Sequence, residues 1–70
     1  MANLPLYTVT IITAQDEVLF QASELFNFIG PAKSYARGLA SDPEYIAAGA
    51  HSVEITDSAD QVVFDVRVAR

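Results

Sequence analysis

Residues 28–39 carry the pattern that most restricts the fold of this chain. Phe28, Ala32, Tyr35, Ala36 and Leu39 fall at i, i+4, i+7, i+8 and i+11. That spacing lines one side of a helix with apolar side chains. Lys33, Ser34 and Arg37 fall off the stripe and are expected to face water. The segments before and after read mostly as strand, so one principal helix has to cover one sheet.

Residues 7–13 are dense in β-branched side chains, which lose rotamers in a helix and fit a pleated surface. Tyr7, Val9 and Ile11 alternate with Thr8 and Thr10, which predicts an inward odd face. A turn at residues 14–17 leads to a second strand from Val18 to about Ala22, and the pair reads as an antiparallel hairpin. Val18 and Phe20 share one face, Leu19 and Gln21 the other. The helix start has three candidates, Ser23, Asn27 and Gly30. Asn27 is preferred because Gly30 and Pro31 then fall in the first turn, where a missing N–H has no intrahelical acceptor. Gly38 inside the helix suggests a close approach to the sheet.

Ser41 and Glu44 have the spacing of a capping box, with Pro43 suited to a first turn. They open a short helix over residues 43–48, ended by Gly49. The last hairpin joins residues 52–56 to residues 61–68 through Asp57, Ser58, Ala59 and Asp60. Val53 and Ile55 face one way. Val62, Phe64, Val66 and Val68 form an apolar row with Phe64 as its anchor, opposed by Val63, Asp65 and Arg67. The expected fold is α+β in the order β-β-α-(short α)-β-β: a four-stranded antiparallel sheet with helices packed on one face, in a single domain over residues 1–70.

Seventy residues give a thin margin of stability, and with no cysteine there is no disulfide or thiolate metal site to raise it. The net charge is −5, with only Lys33, Arg37, Arg67 and Arg70 as bases. So few cations disfavour direct nucleic-acid binding and a polybasic membrane contact. No transmembrane or signal-peptide pattern is present, which makes the cytoplasm the expected compartment. No internal repeat occurs.

The sequence predicts no catalytic, cofactor-binding or metal-binding residues. His51 is the only histidine, and Asp42, Glu44 and Glu54 are the carboxylates that could orient it as a base. The loop at residues 57–60 lacks the alternating acids, glycine and distal glutamate of a calcium site. If both hairpin turns lay at one end of the sheet, Asp16, Glu17, Asp57 and Asp60 would form an acidic patch. Lys33 and Arg37, at i and i+4, are candidate anion contacts. On the assigned facings, Ile12, Leu19 and Val63 point away from the helix beside Asp65 and Arg67, joined by Leu4, Leu6 and Phe26. A partly apolar face with no helix over it is a candidate interface.

In size, acidity and element order the chain resembles small bacterial and phage-encoded proteins, some of which bind and regulate a larger host machine. That resemblance rests on size and topology and on no motif. The leading expectation is a non-enzymatic protein-interaction or regulatory module that docks through a sheet face or edge, with a protein partner or a second copy. One alternative is an acidic inhibitor, of the kind phages encode, that binds the basic nucleic-acid-binding surface of a larger protein. The other is a small ligand-binding protein or enzyme using His51.

Overall fold

The computed structural model describes residues 6–68; the lead-in over residues 1–5, with Leu4, and the terminal Arg70 lie outside the described residues. The elements are β1 (Tyr7–Thr13), β2 (Val18–Phe26), α1 (Ile29–Ala40), α2 (Pro43–Ala47), β3 (Ala50–Thr56) and β4 (Val62–Arg67). They form the expected α+β fold. One antiparallel sheet runs in the order β2-β1-β3-β4, with α1 packed chiefly on β3.

The core sits between α1 and the two central strands. Val9 and Ile11 of β1 and Val53 and Ile55 of β3 are fully buried, as the alternation in both strands requires. The helix meets them with Ala32, Ala36 and Ala40, all buried and spaced four apart. Alanine is the best helix former and carries only a methyl group, so α1 rests directly on the sheet. Gly38 plays no part in that approach, since a Cβ there would meet nothing within 4 Å. Bulk is supplied from the sides, by Ile29, Tyr35 and Leu39 of α1 and by Tyr45 and Ile46 of α2.

Several boundaries differ from expectation. The α1 N-cap is Phe28, in extended conformation with no side-chain cap bond. Asn27 does not cap, and Phe28, expected on the buried stripe, is 70% exposed. Gly30 and Pro31 do fall in the first turn. The cap of α2 is Asp42, whose carboxylate accepts from the Glu44 N–H at 2.9 Å, so Ser41 does not form a capping box.

Irregular register changes which side chains face the helix. Ile11 opposes Phe20 while Ile12 opposes Val18, so Leu19 is an extra residue. It packs against the core rather than on the outer face. Further on, Val9 opposes Ala22 and Tyr7 opposes Phe26, leaving residues 23–25 opposite Thr8 alone. Glu24 takes φ +51 there, and its N–H donates to the Thr8 hydroxyl at 3.1 Å. The loop returns Phe26 to the inner face, against the Tyr35 ring with centroids 5.3 Å apart. In β4, Ile55 opposes Phe64 while Thr56 opposes Val62, which makes Val63 the extra residue. Val62 therefore leaves the apolar row and is 51% exposed.

Both hairpin loops share one design. The Thr13 N–H donates to the Glu17 carbonyl and the Asp16 N–H to the Thr13 carbonyl; Asp57, Gln61 and Asp60 repeat the arrangement. Asp16 and Asp60 adopt φ +63 and +60. This is a type I turn followed by a left-handed residue. The first side chain caps each loop, the Thr13 hydroxyl accepting from Gln15 and Glu17, and the Asp57 carboxylate from Ala59 and Gln61.

Candidate functional site

The register places the proposed interface residues unequally. On the face away from α1, one row runs Gln21, Thr10, Glu54, Asp65, and the next contains Ile12, Ser52 and Arg67. The Gln21 amide donates to the Thr10 hydroxyl at 3.2 Å along the first row. Ile12 is half-buried and is flanked by small polar neighbours that are themselves buried, Thr10 and Ser52. Asp65 and Arg67 stand two residues apart on β4, both exposed. Val63 is 45% exposed at the β4 irregularity. Leu19 and Phe26 belong to the core side, and Leu6 is half-buried. The face is thus more polar than the sequence suggested, and its exposed candidate residues, Val63, Asp65 and Arg67, lie on β4.

β4 is an edge strand, and the phase of its hydrogen bonds follows from one contact. The Val68 N–H donates to the His51 carbonyl at 3.0 Å, in the register that sets Val66 opposite Val53 and Phe64 opposite Ile55. Alternation then directs the backbone groups of Phe64, Val66 and Val68 to β3 and those of Asp65 and Arg67 to the unpaired side. From residue 64 onward β4 carries no irregularity. Asp65 also lies directly opposite Glu54. Two carboxylates across an antiparallel pair repel.

Arg37 is exposed, as expected, and Lys33 half-buried, and both reach the ring of Phe64. The Lys33 ammonium lies 5.2 Å and the Arg37 guanidinium 5.4 Å from the centre of the Phe64 ring. Both charges meet its π face. Phe64 is half-buried rather than the anchor of the core; the largest fully buried side chains are Ile11, Ile55, Val9 and Val53.

The turn acids do not gather. Thr13 lies beside Ala50 and Thr56 beside Thr8, so the two hairpin loops sit at opposite ends of the sheet. His51 lines a shallow hollow of about 380 Å³ with Ala14, Arg67 and Val68. Asp42 is engaged at the α2 cap, and among the described residues none of the candidate carboxylates hydrogen-bonds the His51 ring. No group of three metal-ligating side chains occurs among the described residues. None of their helices is long and apolar enough to cross a membrane.

The sequence did not reveal the outward phase of Asp65 and Arg67. Their spacing on an alternating strand was visible, but edge position depends on strand order. No family model matches this chain, and neither does any curated protein or solved structure.

Proposed function

We propose that this chain is a non-enzymatic protein-interaction module that docks through its β4 edge. The observation that carries this reading is the regular run of β4 from residue 64, at the sheet edge and unpaired on its outer side among the described residues, flanked by the exposed Val62 and Val63. Unpaired strand edges template the addition of another strand: main-chain bonds give affinity and alternate side chains give specificity. The reading takes the cytoplasm as its compartment, which fractionation of native host cells checks.

Affinity capture from host lysate tests the docking. Asp65→Pro removes an N–H aimed at the unpaired side and leaves the β3–β4 ladder its donors. Val63→Lys charges the exposed shoulder of the same edge. Both are expected to release whatever the wild type retains, while His51→Ala retains it. Capture that survives both edge variants and fails with His51→Ala overturns the edge reading.

A further inference from the structure

We infer that the partner of the β4 edge is a second copy of this chain, paired antiparallel about a two-fold axis at Val66. The inference rests on the edge-docking reading above and adds the occupant and the register.

Four antiparallel registers, centred on residues 64 to 67, keep the outward groups of β4 in phase, and charge separates them. Centring on Asp65 sets Asp65 against itself, and centring on Arg67 does the same for Arg67, each a direct like-charge contact. Centring on Phe64 brings the two Phe64 rings together. Each ring carries Lys33 and Arg37 over it, so four cations crowd one place. Centring on Val66 sets Asp65 against Arg67 of the second copy and Arg67 against its Asp65. Both contacts fall at positions whose N–H and C=O point outward, so each pair exchanges two backbone hydrogen bonds. The inner face then matches Val66 with Val66 and Phe64 with Val68. The two Phe64 rings lie four residues apart along the ladder, roughly 14 Å. That exceeds the screening length of about 8 Å at physiological salt.

The monomer carries a mark of the same arrangement. Asp65 faces Glu54 on the β3 side, an arrangement unfavourable within one chain. An arginine arriving on the other side of Asp65 compensates it. The interface is isologous and closed, as a two-fold contact requires, and ends with a continuous eight-stranded sheet.

The test uses the purified full chain in sedimentation equilibrium from micromolar to millimolar concentration. Wild type is expected to dimerise. Arg67→Asp leaves two acids on the edge and Asp65→Arg leaves two cations, so each alone should self-associate at least about tenfold more weakly, a change of about 1.4 kcal/mol. Mixed together, the two variants pair every cation with an anion and should form a heterodimer. The double variant Asp65→Arg/Arg67→Asp should recover the wild-type constant. Asp65→Pro should remove the dimer, which stacking through the sheet face would survive. Circular dichroism melting confirms that each variant is folded.

Wild type that stays monomeric throughout, or folded charge variants that fail to complement, overturn the second copy as occupant. If lysate capture still depends on Asp65 and Val63 in that case, edge docking stands with a foreign strand. If it does not, the edge reading itself falls.

Discussion

β2 and β4 both border the sheet, and they differ in how they are closed. β2 is interrupted twice, at Leu19 and across residues 23–25, and its inner aromatics meet other aromatics. Phe26 packs on Tyr35 and Phe20 on Tyr45, with centroids 5.3 and 5.8 Å apart. β4 is interrupted once, near its start, and its inner aromatic lies under the charged groups of two cations. Irregularity spoils the template that an edge offers to another strand. One border is therefore finished within the chain, and the other is left regular. The difference teaches that in so small a domain the helix cannot roof both borders with apolar bulk. Its alanine stripe is centred on β1 and β3, so each flank is served by whatever residue type lies beside the stripe.

Tyr35→Ala should break the β2 side most severely. It removes a half-buried ring and the aromatic pair with Phe26, at a cost of about 3 kcal/mol. The urea midpoint should fall with little change in slope; a loss below about 1 kcal/mol would mean the β2 roof contributes little. Phe64→Ala should cost less, about 2 kcal/mol, because that half-buried ring has two cationic groups over it rather than a second aromatic ring. Equal or larger destabilisation than Tyr35→Ala would erase the contrast between the borders. Thr8→Val removes the acceptor for the Glu24 N–H and should cost about 1 kcal/mol. Faster amide exchange at Glu24 locates the effect on the β2 irregularity. The smallest change sharpens the view of the loops: Asp60→Gly relieves a left-handed non-glycine residue and should stabilise by about 0.5 kcal/mol. A lower melting temperature would show that the aspartate contributes more than its backbone costs.

Element order and the central core were legible because alternation in β1 and β3 is strict, and Val9, Ile11, Val53 and Ile55 face where that alternation puts them. The stripe found α1, and Pro31 placed its first turn. The misplaced residues have one physical cause. Leu19, Phe26 and Val62 all lie at or beyond an irregularity, and one extra residue inverts the facing of what lies past it. Nothing marks these sites in the sequence: the residue with positive φ in β2 is a glutamate rather than a glycine. The α1 cap misled for a related reason. Asn27 has the side chain a cap favours, yet the prolonged β2 delivers Phe28 to that position instead. The candidate edge was half legible: Asp65 and Arg67 could be paired by spacing, whereas their outward phase required the strand order.

The matching hairpin loops have a consequence for how the chain finds its fold. Each loop is closed by its own turn bonds and capped by its own first side chain, so β1–β2 and β3–β4 are local units able to form within microseconds. The β1–β3 seam is different, because it joins Val9 to Ile55 across the whole helical segment. Closing that long loop loses chain entropy before any contact rewards it. The slow step should therefore be the meeting of two preformed hairpins under the alanine face of α1. Substitutions at Val9 and Ile55 should slow folding, whereas those in the two loops should chiefly accelerate unfolding.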